Sequence, residues 1–186
     1  MNRLERNIYD LLKHLGEDPD RAGLRETPHR FVRALEEMTS GYTVEPQSVL
    51  KWFEEEGTNS NSLIMVRGIP FYSTCEHHLL PFFGEVTIGY VASGRVLGLS
   101  KFARLVEVFA KRLQVQERLT EQIADALQNS QGQPLGVGVL VSAEHTCMAA
   151  RGVCKSGALT ISSALRGCVK DESACRAEFL KLAEAR

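Results

Sequence analysis

Cys75-Glu76-His77-His78 and, far downstream, His145-Thr146-Cys147 gather two thiols and three of the chain's five histidines. Thiolate sulfur and imidazole nitrogen are ligands that zinc prefers. Cys75 and His78 flank two residues, so one turn can present both to a single ion. Glu76 and His77 must then point elsewhere, and spacing alone does not choose between His77 and His78 as the ligand. His145 and Cys147 sit two apart at what reads as a strand end, where residues i and i+2 share a face. The expected ligand set is Cys75, His78 and Cys147. Three protein ligands leave a fourth position open, as in catalytic zinc sites, where the metal lowers the pKa of a bound water to about 7. His77 and His145 are then free to move protons. Taken singly, each residue also fits a buried small thiol or a surface imidazole. A closed structural zinc would need a fourth ligand from Cys154, His29, His14 or a carboxylate.

A second group suits an anion. Gly98-Leu99-Ser100-Lys101 introduces a helix that carries Lys101 and Arg104 on one face. Helix-start N–H groups, a hydroxyl and two cations can bind phosphate. Arg151 and, beyond it, Lys155 can add charge there. Gln116-Glu117 follows a helix break near Gln114. A carboxylate can accept both the N1–H and the N2 amino hydrogens of guanine, and an analogue without those donors leaves it unpaired. Without the metal cluster, both groups read as ordinary polar helix faces.

The elements that must position these residues follow from periodicity. Leu4, Ile8, Leu11, Leu12 and Leu15 recur at helical spacing, with Gly16 as the stop. Thr27-Pro28 reads as an N-cap and first turn, and Phe31, Val32, Leu35 and Met38 form that helix's apolar stripe. Tyr42 to Asn61 is weakly patterned and reads as a linker. Leu63–Val66 reads as a strand, Ile69–Tyr72 leads into the Cys75 cluster, and Gly84–Val91 alternates as a second strand. Val96–Leu99 is a short return. Ser100 is the expected N-cap of the first of two helices that reach Gln128. Strands follow around Val137–Val141 and Ala158–Leu165, and a helix closes the chain over 172–185. The class is α+β with an antiparallel sheet.

Composition narrows the function. A chain of 186 residues has the length of one domain and buries about 70% of the surface its unfolded form exposes. Five cysteines form no regular framework, which fits reduced thiols in a cytoplasmic protein. A net charge of −1 argues against a nucleic-acid partner held by bulk charge. No apolar run nears the ~20 residues that span a bilayer, so no membrane partner is expected. The start leads into an amphipathic segment and not into a signal-peptide core.

In order, the segments Cys75–Gly84, Gly98–Lys101, Gln114–Thr120 and Glu144–Met148 with Arg151-Gly152 resemble the signatures of GTP cyclohydrolase I. With Thr27-Pro28-His29-Arg30 the resemblance covers nearly the whole chain. It implies zinc (Zn2+) on Cys75, His78 and Cys147, and His77 and His145 as acid/base groups, with Ser100 assisting. It implies guanine on Gln116 and Glu117, triphosphate on Ser100, Lys101, Arg104 and Arg151, and phosphate also within reach of Arg30. The implied architecture is the tunnelling fold: a four-stranded antiparallel sheet with two inserted helices, ββααββ. An N-terminal arm and linker over 1–61 would precede a catalytic domain over 62–186. Sheets of several subunits would join into a barrel, in a homodecamer of two pentamers with active sites at subunit interfaces. The implied substrate is GTP and the implied product 7,8-dihydroneopterin triphosphate. The alternatives are another tunnelling-fold pterin or purine enzyme, which would use a different metal set, and a non-catalytic zinc-stabilised nucleotide-binding regulator, which would need no spare histidines.

Overall fold

A computed structural model of the chain describes residues 1–54 and 62–185. It divides into two compact units, Met1–Ser40 and Gly41–Arg186. Of the expected linker, residues 55–61 lie outside the described residues.

The first unit is a pair of helices, α1 (Arg3–His14) and α2 (Thr27–Met38). Asn2 and Glu5 form a reciprocal capping box at the start of α1, which satisfies two otherwise orphaned N–H groups. Leu4 and Ile8 meet Phe31, Val32 and Leu35 along one cleft. Thr27 does not cap α2 as expected. Glu26 is already in a helical conformation, and Thr27 lies inside the helix with its N–H bonded to Leu24 O at 2.9 Å. The turn before α2 supplies the carbonyl that a capping side chain would otherwise replace.

The second unit is built on four long antiparallel strands: β2 (Leu63–Cys75), β3 (Pro81–Val91), β6 (Gly136–His145) and β7 (Leu159–Arg166). The two sequence-read pieces at 63–66 and 69–72 are one strand, kinked by a register shift between Val66 and Ile69. Gly68 there has φ 64°, which suits a residue without a Cβ. A two-residue strand, β5 (Leu113–Gln114), adds to the edge beside β2 in parallel. The described part of the expected linker is ordered as two 3₁₀ turns and a strand, β1 (Trp52–Glu54). That strand pairs with the short return β4 (Arg95–Leu97) in a separate two-stranded sheet.

Helices α3 (Ser100–Ala110) and α4 (Gln116–Gln128) cover one face of the large sheet. Phe102, Leu105, Leu119, Ile123 and Leu127 bury fully against Phe82, Val86, Ile88, Tyr90, Val139 and Val141. The closing segment folds as α6 (Gly167–Asp171) and α7 (Ser173–Glu184). Phe179 of α7 seats on Gly89 and Gly138 of the other sheet face, where a Cβ would collide with its ring. Burying that ring contributes about 1.5–3 kcal/mol.

Chain direction places the functional residues. The β2–β3 hairpin pairs Thr74 with Pro81 at one end and Leu63 with Val91 at the other. β4 and the start of α3 follow Val91. Ser73 donates to Ala110 O at 2.7 Å, so α3 ends beside Cys75. A helix rises about 1.5 Å per residue, so the 11 residues of α3 put Ser100 roughly 15 Å from that end. α4 runs back the other way, with Gln116 near β6 and β7 and Gln128 bonded to Pro134 O.

Candidate active site

Cys75 closes β2, and the turn Glu76–Leu80 follows it before β3 begins. Leu79 in that turn has φ 54°, and its N–H bonds to Cys75 O at 2.9 Å. This tight reversal brings His78 Nδ1 to 3.7 Å from Cys75 Sγ. The third candidate ligand arrives through the sheet, because Phe82 pairs with His145 across β3 and β6. β6 ends at His145, and Cys147 lies on a single helical turn, α5 (Thr146–Ala149). The strand-face argument for His145 and Cys147 therefore fails: the backbone turns between them, and the two side chains do different things.

Cys147 turns to Cys75 and His78, and the ligand atoms of all three lie within 4.8 Å of one another. Tetrahedral zinc with bonds of 2.0–2.3 Å separates its ligands by about 3.5–3.8 Å, so the Cys75–His78 spacing already fits and small side-chain motion suffices for Cys147. The donor set fits zinc in type as well. Cys75 is buried, Cys147 half-buried and His78 exposed, so the cluster lies at the protein surface. Burial, followed by the neighbouring Cys75, raises the Cys147 thiol above its ordinary pKa, while Arg151 pulls the other way.

His145 turns to the start of α4. Its Nε2 lies 2.9 Å from Gln116 Oε1, and its ring stacks on Phe82 with centroids 4.6 Å apart at 3°. Burial pushes His145 below the usual imidazole range, opposed by the nearby Glu117 carboxylate. Glu117 lies exposed in the first turn of α4. Gln116, expected beside guanine, is 1% exposed. Its Nε2 contacts Val141 O, Thr160 O and Ser162 Oγ. His77 is exposed, with Nε2 3.8 Å from Glu76 Oε1.

Two residues that lie in the quoted motifs, but to which sequence reading gave no role, support the site. Arg118 pairs with Glu76 and donates to Gln114 Oε1 and Leu113 O, each at 3.0 Å. The Arg118 hydrogen bond holds the Glu76 carboxyl below its ordinary pKa. Phe82, read only as part of a motif, is the platform under His145.

One end of the sheet thus collects Cys75, His77, His78, Glu117, His145, Cys147 and Arg151. Ser100, Lys101 and Arg104 are not among them. They open α3 at the other end, and Leu99, not Ser100, holds the N-cap position, in a helical conformation without a side-chain cap bond. Arg30 belongs to the first unit.

The sequence matches the family described as GTP cyclohydrolase I over residues 4–184. It is 56% identical to the GTP cyclohydrolase 1 of Janthinobacterium sp. (strain Marseille), covering 93% of this chain and 87% of that one. It is also 56% identical to that of Mycobacterium leprae, covering 97% and 87%. Among solved structures, an archaeosine synthase QueF-like protein in its apo form overlaps 59% of this chain and 97% of its own, at TM-score 0.44 and 20% identity.

Proposed function

Since the chain belongs to the GTP cyclohydrolase I family and is an enzyme of that class, we propose that it hydrolyses the imidazole ring of GTP at C8 and releases formate. The ribose then opens and rearranges in Amadori fashion, and ring closure gives 7,8-dihydroneopterin triphosphate. This is the first step of tetrahydrofolate and pterin biosynthesis, carried out in the cytoplasm. The observation that carries the reading is the meeting of the Cys75–His78–Cys147 cluster with His145 and Glu117 at one sheet end.

Cys75, His78 and Cys147 would hold zinc, which when bound supplies a water activated for attack at neutral pH. Glu117 accepts the N1–H and N2 amino hydrogens of the base. His145 gives a proton to N7 as water adds at C8, and a second hydrolysis frees formate. His77 and Ser100 move protons during the ribose steps. Ser100, Lys101, Arg104 and Arg151 hold the triphosphate and position the substrate; Arg30 can add to that charge. No phosphate bond breaks.

The start of α3 lies at the opposite end of that helix from Cys75, roughly 15 Å along its axis, which supports a neighbouring subunit as the source of Ser100, Lys101 and Arg104. That agrees with active sites at subunit interfaces in a homodecamer of two pentamers. Joining sheets between subunits would also cover the exposed edge strand β7, where Leu159 and Ile161 are 63% and 71% exposed.

Incubation of the zinc-loaded protein with GTP tests the reading. Formate and a pterin that fluoresces after oxidation are expected in equal amounts. Tight GTP binding with no formate would reject catalysis and leave a nucleotide-binding regulator. A different pterin or purine product would reject the reaction assigned.

A further inference from the structure

The buried amide of Gln116 sits in a hydrogen-bond network oriented by backbone carbonyls, which only accept. Thr120 Oγ1 lies 2.7 Å from Gln116 O, a carbonyl that only accepts, so the Thr120 hydroxyl proton points there. Thr120 Oγ1 also lies 2.7 Å from Ser162 Oγ. With its own proton committed, Thr120 must accept, and the Ser162 hydroxyl donates to it. Ser162 Oγ then faces Gln116 at 3.0 Å as an acceptor. Two more acceptors meet the same end of the Gln116 side chain: Val141 O at 3.0 Å and Thr160 O at 2.9 Å. That end must be the NH2 group. A flipped amide would set its oxygen against two carbonyl oxygens, acceptor against acceptor, and leave its hydrogens only His145 Nε2 to meet.

The orientation of Gln116 therefore follows from fixed backbone groups on β6 and β7. Its Oε1, the end that can only accept, points at His145 Nε2, 2.9 Å away. His145 Nε2 must carry a hydrogen. In the neutral imidazole, Nδ1 is then the bare nitrogen.

We infer that Gln116 is a positioning residue that locks His145 in the Nε2–H tautomer, so that His145 gives and takes its catalytic proton at Nδ1, and that Gln116 does not read the guanine base. Phe82, stacked flat on the ring, fixes its plane. Gln116 sets which edge of that plane is spent and which is free. The four groups that orient the amide lie on α4, β6 and β7, outside the turn that carries His77 and His78. Buried amide partners of this kind set the tautomer of a histidine from outside the reacting atoms.

The inference rests on the role given to His145 above, and the experiment separates the two. Wild type, Gln116→Leu, Gln116→Glu, His145→Ala and the double variant Gln116→Leu/His145→Ala are each checked for melting temperature and zinc content, then assayed for formate release against GTP concentration. If His145→Ala releases formate normally, the role of His145 fails. If it does not, Gln116→Leu is expected to lower kcat by about 10–100-fold with KM for GTP within about twofold. Adding it to His145→Ala should cost less than about threefold further, because the two act as one unit. Gln116→Glu keeps an acceptor at Nε2 of His145 and should retain more kcat than Gln116→Leu. A rise in KM with kcat unchanged would restore Gln116 as a guanine contact and overturn the proposal. So would fully additive losses in the double variant. If Gln116→Leu does not fold, the KM–kcat split of Gln116→Glu decides the same question. Long-range ¹H–¹⁵N spectra of His145-labelled wild type give a readout without any variant: an Nδ1–H tautomer would also overturn it.

Discussion

Glu76 and Arg118 join the metal turn to the first turn of α4 by an ion pair. Arg118 is anchored in turn to Gln114 Oε1 and Leu113 O, so the pair braces the loop that carries His77 and His78. Arg118→Ala should weaken zinc affinity about tenfold, as loss of a supporting hydrogen-bond partner does. The melting temperature should move little, since half-exposed ion pairs contribute little to stability. Chelator competition measures the first and calorimetry the second; unchanged zinc affinity would show that the brace does not act on the metal.

Cys147 is the candidate ligand that arrives through the sheet, and Cys147→Ser removes one of the three donors in the proposed zinc site. Metal analysis after dialysis should find the variant without stoichiometric zinc, and formate release should fall by at least about 100-fold. Full activity in that variant would remove Cys147 from the ligand set.

Glu117 stands exposed at the head of α4, beside His145. Glu117→Gln exchanges one acceptor oxygen for a donor that meets the N1–H or amino group of guanine head-on. KM for GTP should rise about tenfold or more. Steady-state kinetics that match wild type would reject the guanine role.

Lys101 opens α3 and Cys147 lies on α5 at the other sheet end, so the proposed sharing of sites between subunits has a complementation test. Lys101→Ala and Cys147→Ser are each expected to be nearly inactive. If subunits redistribute at random after mixing in equal amounts, about one interface in four carries both intact residues. Activity should recover toward that fraction. No recovery, with mixing confirmed by mass spectrometry, would place both residues in one subunit's site.

Gly138 meets Phe179 so closely that an added Cβ would lie 2.5 Å from the ring. Gly138→Ala should cost about 1–3 kcal/mol through overpacking. Phe179→Leu in the same chain should recover part of that loss, so the double variant should melt higher than the sum of the single losses predicts. Additive losses would show that the clash is relieved elsewhere.

The amphipathic helices, the alternating strands and the Cys75–His78 turn were all legible because each is local. A helix or strand repeats its buried face at a fixed interval, and a turn of four residues brings its own ends together. The end of β6 was misread for the same reason. Nothing local says that the chain leaves the strand at His145, since only pairing with Phe82 ends there. The two missed caps, Thr27 and Ser100, show a similar limit: the turns before them were already helical, so no side chain was required.

Residue types, periodicity and motif order were enough to read the candidate ligands, the α+β class and the family. Which residues share one end of the sheet came from long-range contacts. Tertiary structure brought Cys147 to Cys75, gave Gln116 to His145 and the sheet, and carried Ser100 and Lys101 to the far end of α3. These outcomes depend on strand register and helix direction, which are set by contacts between segments far apart in the chain. Periodicity reports only how a residue faces its own element.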